Sequence, residues 1–185
     1  MVGRIKKHAA ILSLLIVFGI PFVLVPGFAG MFIKFDGIDG EAVDKGHEDW
    51  IELDSMQFGV GRTISQTGGG DRETSNPSFS ELTLTKEMDK SSPLLFFEAI
   101  AGSSLGKATL ELTQTGTEGS QTYLKLELEE AIVSSYSTSS EGERPAETFA
   151  LNFTKIAYTY TQYDDSGKEV GSTTKQWDLM ANKEY

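Results

Sequence analysis

Between residues 123 and 129 leucine recurs at every second position: Leu124, Leu126 and Leu128 alternate with Lys125, Glu127 and Glu129. Strict alternation puts the two sets on opposite faces of an extended chain, whereas a helix would scatter them round its circumference. The segment reads as a strand with one buried and one wet face, the pattern of an antiparallel sheet. Residues 79–86 repeat it with Leu82 and Leu84, and residues 107–113 with Leu110 and Leu112. Residues 31–35 form a further strand, ended by the turn dipeptides Asp36-Gly37 and Asp39-Gly40. Asp164-Asp165-Ser166-Gly167 has hairpin-turn chemistry and leads into a last strand through Trp177 and Leu179.

Two segments break the alternation. In 48–60, Ile51 and Leu53 lie on one parity and Met56 and Phe58 on the other; such a shift predicts a bulge or a strand covered on both faces. In 146–163, Phe149, Leu151 and Phe153 lie on one parity and Ile156, Tyr158 and Tyr160 on the other. A strand shared by two sheets changes its buried face in this way. One helix is predicted over residues 93–101, with Ser92 as its cap, Pro93 at its first position and Gly102 after its last turn. Leu94, Leu95, Phe96, Phe97 and Ile100 surround most of its circumference, so it either plugs the core or is covered by a neighbouring subunit. Residues 59–77 contain Gly61, Gly68, Gly69, Gly70 and Asp71 and hardly any apolar residue; they are expected to project as a long glycine-rich loop. The fold class is all-β and mainly antiparallel, a small barrel or sandwich of about eight strands with one short helix. A chain of 185 residues holds one such core and not two.

Arg4, Lys6 and Lys7 precede an apolar run over residues 9–25, which ends at Pro26-Gly27-Phe28-Ala29. A basic start, an apolar middle and a small-residue exit form a signal peptide, with cleavage expected between Ala29 and Gly30. Residues 1–29 are thus assigned to export and 30–185 to the folded domain, placed in the periplasm or outside the cell and free of the membrane once cleaved. The alternatives are an uncleaved membrane anchor and a translation start at Met31. Removing the first 29 residues leaves 13 basic against 27 acidic residues, a balance of −14. That charge repels nucleic acid and anionic membranes.

The chain has no cysteine, which excludes disulfides, thiolate nucleophiles and cysteine-bound zinc. Besides His8 in the export segment there is only His47, in a polar stretch where it is expected to be exposed and uninvolved. No Gly-x-Ser-x-Gly elbow surrounds a serine, no Gly-Lys-Ser/Thr follows the glycine triplet, and the adjacent carboxylates sit in turns and at strand ends. An enzyme is therefore not expected, nor a cofactor. Asp36, Asp39, Glu41 and Asp44 form a weak calcium candidate, since their spacing departs from the oxygen-ligand order of an EF-hand.

Four runs carry a resemblance. Met31-Phe32-Ile33-Lys34-Phe35-Asp36-Gly37-Ile38-Asp39-Gly40-Glu41, followed by Asp44-Lys45-Gly46-His47, resembles the opening strand and turn of the Hcp family, the tube proteins of bacterial type VI secretion. Residues 84–93, reading Leu-Thr-Lys-Glu-Met-Asp-Lys-Ser-Ser-Pro, resemble that family's run into its helix. Val133-Ser134-Ser135-Tyr136-Ser137 and Leu151-Asn152-Phe153 resemble its late and core strands. The resemblance covers essentially all of 31–180. It implies a β-barrel protomer that forms hexameric rings, stacked into a tube that carries secreted effectors and is driven by sheath contraction. The partners it implies are further copies of the chain and tube-associated secretion components. Gly61, Gly68, Gly69, Gly70 and Asp71 would lie in the loop that makes ring-to-ring contacts. The export signal departs from the family, whose tube subunits assemble in the cytoplasm. It keeps open a second function, an exported surface or ligand-binding module, for glycans for example, on the same barrel.

Overall fold

The computed structural model describes residues 28–66, 72–116 and 119–185. Residues 1–27, on which most of the expected export signal falls, and residues 67–71, with the glycine triplet and Asp71, lie outside the described residues. The strands in chain order are β1 (Phe28–Phe35), β2 (Ile51–Glu52), β3 (Ser55–Gln57), β4 (Val60–Gly61), β5 (Ile64–Gln66), β6 (Arg72–Thr74), β7 (Ser78–Phe79), β8 (Leu82–Glu87), β9 (Ala108–Gly116), β10 (Gly119–Glu129), β11 (Ile132–Ser139), β12 (Ala146–Asn152), β13 (Lys155–Tyr163) and β14 (Glu169–Asp178), with one helix, α1 (Ser92–Ala101), after β8. A six-stranded sheet of order β14-β13-β10-β9-β1-β2 faces a four-stranded sheet of order β11-β12-β8-β3. The pairings are antiparallel throughout. The all-β fold is as expected, divided into more and shorter strands than eight, and built as two facing sheets rather than one closed ladder among the described residues.

Alternation decides which side chains meet. Leu126 of β10 lies opposite Leu110 of β9 and Tyr158 of β13, while Lys125 lies opposite Glu111 on the other face. Ile33, Phe35, Leu110, Leu126 and Leu128 from the larger sheet meet Leu82, Leu84, Phe149 and Leu151 from the smaller one in a single core. Each such side chain contributes about 1.5–3 kcal/mol on burial. The outward face of the larger sheet is held by ion pairs, Lys107 to Glu127 at 2.5 Å and Lys155 to Glu129 at 2.7 Å.

Both parity shifts mark places where the chain changes sheets. The Leu53 amide donates to the Met31 carbonyl of the larger sheet at 2.8 Å, and the next amide, of Asp54, donates to Thr85 of the smaller sheet at 2.8 Å. Similarly, β12 belongs to the smaller sheet and β13 to the larger, with Phe153 and Thr154 between them. The Thr154 amide donates to Glu129 at 3.0 Å as the chain turns the corner. These corners tie the two layers together covalently.

Three expectations need correction. The described parts of residues 59–77 form a laddered arm and not an irregular loop: Val60 pairs with Phe79, Gly61 with Ser78, Ile64 with Thr74 and Gln66 with Arg72. Backbone hydrogen bonding needs no apolar side chains, so a nearly core-free stretch still forms strands. Ser92 is the first residue of α1 rather than its cap; Ser91 occupies the cap position and makes no side-chain capping bond. Gly102 ends the helix as expected, at φ 66° in the left-handed region, its N–H donating to the Glu98 carbonyl. His47 is buried, at 5% exposure, against Phe32 and Trp50.

Candidate assembly surfaces

Three surfaces stand out, and the first begins with a charged anchor inside the molecule. Lys86 follows Leu82 and Leu84 on the inward parity of β8, and Glu147 precedes Phe149 and Leu151 on the inward parity of β12. The two are direct cross-strand partners, both fully buried, with Lys86 Nζ 2.8 Å from Glu147 Oε2 and 2.7 Å from Asp89 Oδ1. Ser92 donates its hydroxyl to the same Glu147 oxygen at 2.8 Å and accepts from the Asp89 amide at 3.0 Å. The Tyr136 hydroxyl of β11 donates to Glu147 Oε1 at 2.6 Å. Burial drives the Asp89 carboxyl up, but hydrogen bonds from Lys86 and Ser91 outweigh it and hold the group below its ordinary range. Burial and the bond to Glu147 raise the Tyr136 hydroxyl, keeping it a donor. The network is satisfied by its own members, so its product is position: it fixes the start of α1 on the smaller sheet. Sequence reasoning missed it, although two opposite charges on the inward parities of two strands were a visible signal.

So anchored, α1 buries only Ser92 and Leu95. Leu94, Phe96, Phe97 and Ile100 are 46%, 54%, 60% and 68% exposed. Of the two readings of this helix, the core plug fails, and the helix presents an apolar face to solvent. Phe96 meets Tyr136 edge-on at 5.9 Å, continuing that face onto β11.

The second surface is a groove of ≈ 450 Å³ between β13 and β14 of the larger sheet and the base of the arm. Its floor is Ile156, Tyr158 and Trp177 of β13 and β14, and its wall is Phe58, Val60 and Phe79 at the base of the arm. Tyr158 and Tyr160 keep the parity of buried Ile156, but they are 45% and 52% exposed.

The arm itself is the third surface. Residues 60–65 and 72–76 are exposed, and Gly61 sits in β4 at its base. Its rungs are reinforced by the Ser75 hydroxyl, which accepts from the Thr63 amide at 2.9 Å, while the Ser75 amide donates to the Thr63 carbonyl at 2.9 Å. Gly68, Gly69, Gly70 and Asp71 belong to the stretch outside the described residues.

The four calcium-candidate carboxylates are drawn to separate partners. Asp39 takes Lys34 at 2.6 Å, Glu41 accepts from the Lys90 amide and faces Arg144, and Asp44 faces His47 and Ser120, while Asp36 is exposed. The hydrogen bond and charge of Lys34 lower the Asp39 carboxyl. Among the described residues no three His, Cys, Asp or Glu side chains gather as a metal-binding group.

Residues 32–160 match the family model described as "Type VI secretion system effector, Hcp". Over 155 residues the chain is 32% identical to Protein hcp1 of Pseudomonas aeruginosa, covering 82% of this chain and 96% of that protein. Its fold superposes on a solved structure titled "Structure of a type six secretion system protein" with a TM-score of 0.80 at 29% identity, covering 86% of this chain and all 100% of the other. The crystal structure of Hcp1 from Salmonella typhimurium gives 0.67 at 29% identity, covering 84% and 98%.

Proposed function

The chain belongs to the Hcp family of type VI secretion proteins, and from that premise we propose that it is a structural tube subunit, assembling into hexameric rings that stack into an effector-carrying tube. The observation that supports ring formation most directly is the helix face: Phe96, Phe97 and Ile100 are more than half exposed in a single copy, and a contiguous apolar face of that kind is covered in an assembly. Its work is geometric rather than catalytic, performed by surfaces and by the buried network that orients them.

Stacking falls to the stretch 59–77, which carries Gly61, Gly68, Gly69, Gly70 and Asp71 in its sequence and whose described rungs Ile64 to Thr74 and Ser65 to Glu73 are exposed. An antiparallel arm can order against another ring without disturbing the core, because its ladder is separate from both large sheets. The first 29 residues direct export, and cleavage between Ala29 and Gly30 leaves β1 paired with β9 from Gly30 onward, sacrificing the Phe28 to Gln114 pairing. Its partners are further copies of itself and the effectors its lumen accommodates; its acidity turns nucleic acid away.

Light scattering and negative-stain imaging of the purified chain test this reading. Annular particles of six-copy mass are expected, and deleting residues 62–75 should leave rings that no longer stack. A stable monomer at high concentration would instead favour an exported surface module and overturn the tube-subunit reading.

A further inference from the structure

Resting on the ring-subunit reading, we propose that the contact between neighbouring copies is a knob in a groove: the exposed face of α1 in one copy seats in the cleft between β13–β14 and the arm base of the next. Phe96 and Ile100 are four residues apart and Phe97 and Ile100 three, so they form one ridge on the helix. That ridge is convex and apolar. The groove is concave and apolar, floored by Tyr158 and Trp177 and walled by Val60 and Phe79. Within one copy the two do not meet: α1 packs against β11, and the groove is lined by residues outside both elements.

Charge favours a second copy as the occupant. The chain carries −11, so copies approach most easily where that charge is thin. Among its ten residues α1 has one charged side chain, Glu98. The charged groove residues are Arg62, Lys175 and Glu184; Lys175 and Glu184 pair at 2.6 Å, which leaves Arg62, bonded to the Ser75 carbonyl, as the net positive charge. An apolar ridge on an acidic chain thus meets an apolar groove whose one unpaired charge is positive. Because ridge and groove are different surfaces, the contact is head-to-tail, the kind that closes into a ring.

The test uses two variants of the full chain, Phe97→Asp, which spoils the ridge, and Tyr158→Asp, which spoils the groove. Each should be monomeric at concentrations where the parent forms rings, with unchanged circular dichroism and thermal unfolding. Mixed in equal amounts, they should give a two-copy species and nothing larger, because one intact ridge and one intact groove remain. If an aspartate unfolds the chain, Ile100→Ser and Tyr158→Ser repeat the measurement. Rings from either variant, or a mixture that stays monomeric, would sink this interface while leaving a ring-forming parent intact. A monomeric parent would remove the ring reading and the interface with it.

Discussion

The imidazole Nε2 of His47 lies 3.0 Å from Glu111 Oε2, although 64 positions separate the two residues. Its other nitrogen lies 3.0 Å from Asp44 Oδ2, and the Ser120 and Thr122 hydroxyls complete the two carboxylates at 2.8 and 2.7 Å. The ring stacks on Phe32 at 4.4 Å and meets Trp50 edge-on, so His47 fastens the turn after β1 onto the outer face of β9 and β10. His47→Phe keeps an aromatic ring in the slot but leaves both carboxylates without their nitrogen partner. We expect it to destabilise the chain by about 2 kcal/mol, read as a lower urea midpoint with an unchanged slope.

Lys86 is the single cation against Glu147, which is fully buried with it, and Asp89, which is 11% exposed. Removing one partner strands carboxylate charge in the core, which typically costs about 3–5 kcal/mol. Lys86→Met should therefore unfold far more readily than the parent, and any folded fraction should lose ring assembly because α1 is no longer fixed. Adding Glu147→Gln should recover part of the stability, since less charge is then left unpaired. A double variant no more stable than the single one would show that the network matters for something other than charge balance.

Much of this was legible in the sequence where the signal was periodic. Leucine alternation in β8, β9 and β10 announces strands and their buried faces, and the parity shift near Phe153 announces a corner where the chain changes sheets, whereas the shift near Leu53, read as a bulge or a doubly covered strand, is a second such corner. The arm was legible only as projecting, because β5 and β6 are held by backbone bonds that leave no apolar pattern. His47 was misread as exposed because its burial depends on Glu111, Phe32 and Trp50, partners that only the tertiary fold assembles. Exposure of the α1 face could not be read from composition either. An apolar helix has the same sequence whether it faces its own core or a neighbour's groove.

At Gly40 the backbone comes too close to Trp50 and Ile51 for any side chain. An added Cβ would lie 2.2 Å from the Trp50 carbonyl oxygen and 2.4 Å from the Ile51 Cα, both main-chain atoms with little freedom to yield. The Gly40 amide also donates to the Asp49 carbonyl at 2.9 Å, so backing away breaks a bond. Gly40→Ala should cost about 3 kcal/mol. Gly61→Ala, where nothing lies within 4 Å, should stay within about 0.5 kcal/mol of the parent in the same urea titration.

Asp89 makes the helix anchor sensitive to acid. Its carboxyl sits below its ordinary value of 3.8 in the folded chain: burial pushes it up, but the bonds from Lys86 and Ser91 prevail. A group whose folded pKa is depressed contributes stability above its unfolded value and loses it as pH falls through the folded one. The contribution is thus whole at neutral pH and disappears in the acid range below the ordinary carboxylate value. Asp89→Asn should lower stability at about pH 7 and have a progressively smaller effect as the pH falls below the ordinary carboxylate value, so that its urea midpoint changes less with pH than the parent's. Asp39 is also depressed, by Lys34, but its side chain is 61% exposed and water screens the pair. Asp39→Asn should therefore leave the pH profile nearly unchanged. An equal flattening by both variants would mean that the acid sensitivity belongs to the overall charge of the chain and not to the buried anchor.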